Sequence, residues 1–219
     1  MGLTPTQIYN QVRAQAGESS DSFLTEAVLY SFIWQAEIEL ANFVGCSLDK
    51  DTSITTVAST RESTIPTGTL QILRVLYDSV KLKKIDLTEL DMVEGTAYGG
   101  VTTSGQPQYY YEFGTAIGLS PIPSEAKTLT IYRVKEPAEL DASSTIFTIP
   151  ADYSHYLADK CLYLFYAMDK ELQQAEYHLK LWERNKIQAK NEWFKKKMMD
   201  RYLSVKDEDK FQQTDYGII

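Results

Sequence analysis

The stretch LADKCLYLFYAMDKELQQAEYHLKLWERNKIQAKNEWFKKKMMDRY, residues 157–202, decides the fold of this chain. Its apolar residues recur at spacings of three and four, which is the period of an amphipathic α-helix. We expect two buried stripes, separated by a break or bend at Asp169-Lys170. The stripes are Leu157, Cys161, Leu164 and Met168, followed by Leu172, Ala175, Leu179 and Trp182. Ala189 and Trp193 extend the second stripe weakly into Lys195-Lys196-Lys197.

The second of these helices is long for its apolar content. At about 1.5 Å per residue, a helix over 172–202 is about 45 Å long, which exceeds the width of a small domain. Its last turns carry few apolar side chains, so they need another surface to lie on. We therefore expect a core-packed stretch from Tyr153 to Trp182 and an outreaching basic stretch from Lys186 onward. The polar residues Val205 to Ile219 are expected to order on a partner.

Two helices are predicted at the other end of the chain. Thr4, Pro5 and Gln7 have the spacing of a capping box with proline at the first helical position, and Gly17 ends that helix. A second, longer helix is predicted to start near Asp21 or Ser22 and to stop at Gly45. Their expected buried residues are Ile8, Val12 and Ala16 in the first helix, and Phe23, Ala27, Tyr30, Trp34, Ile38 and Ala41 in the second.

The middle of the chain has the composition and alternation of strands. Ser53 to Ile65 is rich in Thr, Val and Ser and is predicted as a strand that Pro66-Thr67-Gly68 closes. Asp78-Ser79 is predicted as the turn of a β-hairpin. The hairpin strands are Leu70–Tyr77 and Val80–Ile85; Asp86–Leu90 is a helical turn, Gly95–Gly105 a flexible loop, and Gln108–Phe113, Ala116–Leu119 and Thr128–Val134 are further strands.

This order of elements predicts an α+β fold in a single domain. Residues 4–45 and 150–203 would form a helical bundle, 53–136 a β-rich lobe and 204–219 an extended C-terminal tail.

The charge is unevenly distributed along the chain. The formal net charge of −8 argues against a dedicated nucleic-acid or acidic-membrane binder, which needs a basic surface. Lys180 to Lys210 nevertheless holds ten Lys or Arg and six Asp or Glu, a balance of +4 that leaves −12 elsewhere. Two surfaces of unlike charge suit head-to-tail packing of copies, although a solvated helix face also carries such runs. The fifteen tyrosines fit interfaces and Tyr-rich sheets equally well.

The two cysteines and the hydropathy place the chain among soluble proteins of a reducing compartment. Cys46 and Cys161 lie far apart amid apolar neighbours, which indicates small core residues rather than a disulfide or zinc site. No apolar run approaches the roughly 20 residues that span a bilayer, and the N-terminus lacks a secretion signal. We expect no membrane association.

The sequence offers little material for catalysis. Asp152, Ser154 and His155 are adjacent at a helix start and do not face one another, and no G-x-S-x-G motif occurs. His178 has no second His or Cys at helical spacing, so a zinc site is not expected. An acidic turn at 89–94 is better explained by solvation than by a divalent cation. We expect no catalytic residue, no cofactor and no metal.

Basic and aromatic residues alternate near the end of the long helix. Lys195-Lys196-Lys197 and Arg201 lie among Trp193, Phe194 and Tyr202, a combination that can grip phosphate and stack on bases. The acidic run at 207–209 follows at once and weakens that field. An acidic groove on another protein is the favoured partner of this helix, and nucleic acid is an alternative.

Seven short motifs between Ile65 and Asp169 resemble in their order and spacing the head-to-tail adaptor proteins of short-tailed bacteriophages, and the resemblance covers roughly Thr4 to Lys197. Each motif is a common loop or strand pattern, and the order carries the resemblance. They are Ile65-Pro66, Ile72-Leu73-Arg74-Val75, Gly105-Gln-Pro-Gln-Tyr-Tyr-Tyr111, Leu119-Ser-Pro-Ile-Pro123, Leu129-Thr-Ile-Tyr132, Ile149-Pro150 with Tyr153, and Tyr166-Ala167-Met168-Asp169 before the long helix.

The resemblance implies a structural protein of the virion neck, assembled in the host cytoplasm. Twelve identical copies would form a ring beneath the capsid portal, and the C-terminal segment would dock on the portal protein. The ring would lengthen the DNA channel, let DNA pass without specific binding, and hold the tail tube or nozzle protein. The implied portal-binding residues are Trp193, Lys195, Lys196, Lys197, Arg201, Tyr202, Phe211, Tyr216, Ile218 and Ile219.

Three other classes of function stay open at this point. The first is another tail or head-completion structural protein of similar shape. The second is a nucleic-acid-binding module that uses 193–202. An enzyme is the third and has the least support.

Overall fold

Helices at both ends of the chain and strands in the middle confirm the α+β prediction in this computed structural model. The structure describes residues 2–17, 24–94 and 104–212, with the backbone alone at 91–94 and 198–212. The helices are α1 (Pro5–Ala16), α2 (Glu26–Val44), α3 (Leu87–Glu94), α4 (Leu157–Met168) and α5 (Leu172–Gln212). The strands are β1 (Leu48–Thr55), β2 (Glu62–Thr64), β3 (Thr69–Tyr77), β4 (Val80–Lys81), β5 (Lys83–Lys84), β6 (Ser104–Gly105), β7 (Tyr109–Phe113), β8 (Ala116–Ser120), β9 (Ile122–Pro123) and β10 (Thr128–Lys135).

The chain divides into two compact units. The helical unit comprises Met1–Cys46 and Pro137–Ile219, and the β unit comprises Ser47–Glu136. The β unit begins six residues before the predicted lobe boundary at Ser53, because β1 begins at Leu48. That the two units act as one domain stays a prediction.

The start of α1 follows the capping rules. The Thr4 side chain accepts a hydrogen bond from the Gln7 amide at 3.2 Å, and the Gln7 side chain accepts one from the Thr4 amide at 2.9 Å. Pro5 needs no amide partner at the first position, and Gly17 ends the helix with φ +72°. Ile8 and Val12 are fully buried, so the predicted start, end and apolar face are confirmed.

The predicted start of α2 is wrong, and its predicted face is partly wrong, although Tyr30 and Ala41 are buried as predicted. Asp21, Ser22 and Phe23 lie outside the described residues, and α2 begins at Glu26 because Thr25 caps it through the Val28 amide at 3.4 Å. Ala27 is exposed. The buried face is instead Leu29, Ile33, Ala36, Leu40 and Val44, with Tyr30 and Ala41 beside it. The helix is apolar on most of its circumference, so spacing alone could not choose the face.

The predicted break between α4 and α5 is confirmed at Asp169-Lys170, where Lys170 has φ +64°. The stripe predicted around it is partly wrong, because Met168 and Leu172 are 40% and 73% exposed. Helix α4 packs against α1, α2 and α5 and therefore buries a wider face than one stripe. That face is Leu157, Ala158, Cys161, Leu162 and Phe165.

The β unit contains two four-stranded sheets and one two-stranded sheet. The first sheet has the antiparallel order β1-β10-β3-β4, the second has the order β2-β8-β7-β5, and β6 pairs with β9. A shared core fills the unit. Its residues are Ile72, Val75, Tyr77, Leu82, Tyr110, Ile117, Leu119, Leu129 and Ile131.

The strand predicted for Ser53–Ile65 is in fact two strands of different sheets, β1 and β2. β1 ends at Thr55. At the next residue, the Thr56 amide and hydroxyl both donate to the Lys127 carbonyl oxygen, at 2.9 and 3.0 Å. β1 starts among polar residues because its Asp49 and Asp51 bind the buried Arg133 of β10, at 2.9 and 3.0 Å. Hydropathy does not reveal a strand that faces an ion pair.

The hairpin turn at Asp78-Ser79 is confirmed, and both residues have the positive φ that a two-residue turn requires, +45° and +71°. The strand predicted after it, Val80–Ile85, serves two sheets. β4 pairs with the end of β3, whereas β5 pairs in parallel with Tyr109 and Tyr110 of β7. Of the predicted loop Gly95–Gly105, only Ser104 and Gly105 are described, and they form β6.

Candidate partner-binding surface

Helix α5 is held to the helical unit by a group of charged residues around Glu39 of α2. Glu39 Oε1 accepts from Trp182 Nε1 at 2.9 Å and from Lys186 Nζ at 2.7 Å, and its Oε2 lies 2.8 Å from Lys160 Nζ of α4. Burial raises the pKa of Glu39, but hydrogen bonds from Lys160, Lys186 and Trp182 lower it more, to about 2. One carboxylate thus ties α2, α4 and α5 together.

The core-packed stretch of α5 extends beyond the predicted limit at Trp182. Lys186, predicted to begin the outreaching stretch, is 8% exposed and also pairs with Glu183 at 2.8 Å. Asn185 donates to Asp159 of α4 at 2.7 Å, and Ala189 is fully buried. Lys186 was misassigned because its buried partner, Glu39, lies 147 residues away in sequence.

Trp193 packs on the helical unit near the end of the α5 residues whose side chains the structure describes. Its ring is half-buried and meets Tyr153 edge to face, with ring centroids 6.3 Å apart. The ammonium of Lys197 lies 5.0 Å from the Trp193 ring, and Lys196 Nζ lies 3.6 Å from Asp152 Oδ2. Trp193 Nε1 is buried, and no atom of the described chain accepts its hydrogen bond.

The opposite side of α5 presents exposed apolar and basic residues. Ile187 and Phe194 are 55% and 63% exposed, and we call Ile187, Lys190, Asn191 and Phe194 the α5 outer face. The Lys190 ammonium lies 4.5 Å from the ring of Phe43, which is itself 39% exposed. Sequence analysis did not assign Ile187 or Phe194 to a site, although their spacing of seven residues, opposite the stripe of Trp182 and Ala189, could have revealed them.

Of the ten predicted portal-binding residues, Trp193 is half-buried against Tyr153, and the other nine fall into three groups. Lys195, Lys196 and Lys197 are exposed on α5 next to Trp193. Arg201, Tyr202 and Phe211 lie on the helical backbone of α5, within the range whose side chains are not described. Tyr216, Ile218 and Ile219 lie outside the described residues. Their role in binding stays a prediction.

The predicted tail 204–219 is wrong in its first part, because α5 continues as a helix to Gln212. No Gly or Pro occurs between Pro150 and Gly217 to stop it.

The residues weighed for catalysis and metal binding have structural partners. The buried Ser154 hydroxyl donates to the Ala151 carbonyl oxygen at 2.9 Å and accepts from the Leu3 amide at 2.7 Å. His178 Nδ1 lies 3.1 Å from Asp159 Oδ1. The structure, where it describes the chain, contains no group of three or more His, Cys, Asp or Glu residues placed to hold a metal ion.

Both cysteines are buried as free thiols. Burial raises the pKa of Cys46 to about 12 and also raises the pKa of Cys161.

A long helix with an exposed apolar and basic face is typical of proteins that bind other proteins. The sequence model of one family, described as SU10 adaptor protein, matches residues 4–201. Because the match covers most of the chain, the protein belongs to the SU10 adaptor protein family, and it is a bacteriophage adaptor protein. This confirms the resemblance found in the motifs. No curated protein matches the sequence.

None of the helices in the described ranges is long and apolar enough to cross a membrane.

Proposed function

We propose that this adaptor is a structural subunit of the virion neck, where twelve copies form a ring between the capsid portal and the tail. The ring extends the DNA channel and is the platform on which the tail tube or nozzle protein attaches. Membership of a bacteriophage adaptor family supports this proposal. DNA passes through the ring without specific binding, and the chain acts by assembly rather than by catalysis.

The observation that carries the proposal is the length and exposure of α5. The last described ion pair between α5 and the rest of the helical unit is Lys196 with Asp152. The helix then continues from 198 to Gln212, about 23 Å at 1.5 Å per residue. A helix that continues so far needs a second surface, and we assign that surface to the portal protein.

The basic end of α5 is the portal-binding element in this proposal. Residues 193–202 supply aromatic rings and cations, and Phe211, Tyr216, Ile218 and Ile219 supply apolar groups farther along. The exposed Phe194 and Ile187 add an apolar patch to the same helix. An acidic groove lined with apolar side chains is the complementary surface.

Ring formation requires contacts between two different surfaces of each copy. A heterologous contact that repeats from copy to copy closes into a ring when its rotations add up to one full turn with no shift along the axis. The +4 balance of 180–210 and the −12 of the remaining chain supply surfaces of opposite charge for that contact.

Native mass spectrometry of the purified chain, alone and with its portal protein, tests the proposal. We expect twelve adaptors per portal ring. A chain that shows no portal binding at any mixing ratio would contradict the proposal. Tight, salt-sensitive binding of duplex DNA by the monomer would instead favour the nucleic-acid-binding alternative.

A pair of charge reversals locates the portal-binding element. Lys195→Glu should weaken portal binding about tenfold, because a cation facing an acidic groove becomes a repelled anion. Lys170→Glu makes the same charge change at an exposed position of the helical unit outside 180–210 and should leave binding unchanged. Equal effects of the two variants would show that net charge, rather than this element, controls binding.

A further inference from the structure

The strand β3 has an open edge in the β unit. On one side it pairs with β10 from Thr69 to Tyr77. On the other side, within the described chain, β4 pairs only with Leu76 and Tyr77, and the Leu82 amide donates to Val75. The backbone of 69–74 therefore has a strand on one side only. Six residues of strand are about 20 Å long, enough for an added strand.

Two cavities, which we together call the groove, are lined by residues of β3 and β7. A cavity of about 530 Å³ is lined by Thr69–Ile72 of β3 and by Glu112 and the turn at 114–115. A second cavity of about 340 Å³ is lined by the next β3 residues, Leu73 and Arg74, and by Tyr110 of β7. The β3 residues that line the two cavities, Thr69–Ile72 and then Leu73 and Arg74, are those of the open edge.

Basic side chains surround the second cavity. They are Arg74, Lys81, Lys83 and Lys84. Lys84 pairs with Glu112 at 2.6 Å, whereas Lys81 and Lys83 have no ion pair with any described residue. On a chain with a formal net charge of −8, this is a local excess of positive charge that favours an acidic ligand.

Exposed apolar side chains flank the same edge. Leu73 of β3 and Val80 of β4 are 43% and 47% exposed. A strand that lies against a sheet edge directs alternate side chains to the two faces, so it can contact apolar groups with one set and cations with the other.

We propose that an extended segment of another protein, in which acidic residues alternate with β-branched ones, adds to the open edge of β3 as a further strand. Its main chain pairs with 69–74, and its carboxylates lie against Lys81 and Lys83. Open edges are sites for strand addition, and the groove and its charge specify which segment is accepted. The proposal does not depend on ring formation.

Two other occupants fit less well. The acidic strand of this chain, β1, is already paired with β10, and its Asp49 and Asp51 are bound to Arg133. Nucleic acid would use the cations and leave the open backbone edge unpaired, and the aromatic ring in the groove, Tyr110, is 3% exposed and cannot stack on a base.

Binding of labelled peptides to the full chain tests the proposal. The probe is a fluorescein-labelled heptapeptide of alternating glutamate and valine, followed by fluorescence anisotropy. We expect it to bind at least about tenfold more tightly than the lysine–valine peptide, because the groove is basic. A control peptide carries N-methyl groups on the backbone amides of its valines, which are alternate residues. It should not bind, since it lacks the backbone N–H groups that would donate hydrogen bonds to β3. Amide hydrogen exchange should slow at 69–74 in the complex.

Charge reversal separates the groove from the rest of the surface. Lys83→Glu should weaken glutamate–valine binding about tenfold, and Arg184→Glu, an equal charge change in the helical unit, should not. Thermal unfolding of both variants should match that of the natural chain, because both side chains are exposed. The proposal is overturned by absence of peptide binding at millimolar concentration, by equal binding of the N-methylated peptide, or by a duplex oligonucleotide that binds in place of the peptide.

Discussion

Glu37 is a carboxylic acid in the middle of a helical core. It is fully buried, and its Oε1 accepts hydrogen bonds from the amides of Thr148 and Ile149 at 2.6 and 3.0 Å. Its Oε2 is buried and has no hydrogen-bond partner among the described atoms. Burial raises the pKa of Glu37 to about 7, although the two amides partly oppose this shift. The side chain fixes the segment before the 3₁₀ helix Ala151–Tyr156 to α2.

The first prediction concerns the pH dependence that Glu37 causes. Its pKa rises from 4.5 in the unfolded chain to about 7 in the folded protein, so the folded state binds the proton more tightly. This difference stabilises the folded state by at most about 3 kcal/mol. The stabilisation is complete below pH 4.5 and is lost as the pH rises through 7. Glu37→Gln keeps an acceptor for the two amides and should remove this slope. Urea unfolding measured between pH 4.5 and 8 checks it.

The exposed Glu176 is the control for that experiment. Glu176→Gln should leave the pH slope between 4.5 and 8 unchanged, because this side chain is exposed and its partner is the exposed Lys180. The same slope in the natural chain and in Glu37→Gln would show that another group titrates there.

The role of Glu37 is not visible in the sequence, because its hydrogen-bond partners lie far from it along the chain. The amides of Thr148 and Ile149 follow it by more than one hundred residues. The same reason explains why Lys186 was placed on the outreaching stretch, since only the fold brings Glu39 beside it. Local signals behaved differently. The Thr4 cap, the Gly17 and Gly45 stops and the Asp78-Ser79 turn depend on neighbouring residues, and all were predicted correctly.

At the scale of elements, the contact between α2 and α5 depends on one charged cluster. The side chain of Glu39 is about one-third exposed, whereas the side chains of Lys186 and Lys160 are 10% and 15% exposed. Removing the carboxylate leaves two largely buried ammonium groups with fewer partners, although Lys186 keeps Glu183. Breaking a buried pair from one side costs more than the pair itself contributes, since the remaining charge stays desolvated.

The second prediction is that Glu39→Gln lowers the free energy of unfolding by about 2 kcal/mol, a value reduced from fully buried pairs because Glu39 is partly exposed. The matched control is Glu176→Gln, which removes an exposed ion pair of the same helical unit and should leave the free energy of unfolding nearly unchanged. Chemical denaturation at pH 7 measures both. Equal costs would mean that the Glu39 cluster does not hold α5 in place.

The limits of prediction at this scale have physical causes. The helical period of the apolar residues located α1, α2, α4 and α5. The predicted buried face of α2 was partly wrong, because a helix that is apolar on most sides has no single stripe. The predicted start of β1, Ser53, lies after its true start at Leu48, because Asp49 and Asp51 face an arginine rather than a hydrophobic core. The candidate site was predicted as a region of α5, and its role in binding stays a prediction. Its exposed apolar residues, Ile187 and Phe194, became distinct only when the buried side of the helix was known.

At the scale of the whole molecule, the uneven charge has a consequence for assembly. The 180–210 segment carries a balance of +4 and the remaining chain −12. In the proposed ring, these surfaces of opposite sign meet between neighbouring copies. Exposed charge pairs are screened by salt, with a Debye length that falls from about 10 Å at 0.1 M to about 3 Å at 1 M.

The third prediction is that salt dissociates the adaptor oligomer. Raising NaCl from 0.05 to about 0.5 M should shift sedimentation from the oligomer toward the monomer and weaken assembly about tenfold or more, because attraction across the contact is screened. Sucrose of matched osmolality leaves charges unscreened and should not dissociate it. Assembly that strengthens with salt would instead indicate apolar contacts, since salting-out favours burial of apolar surface. Residues such as Phe113 and Ile146, 61% and 79% exposed, would then be the first positions to test by substitution.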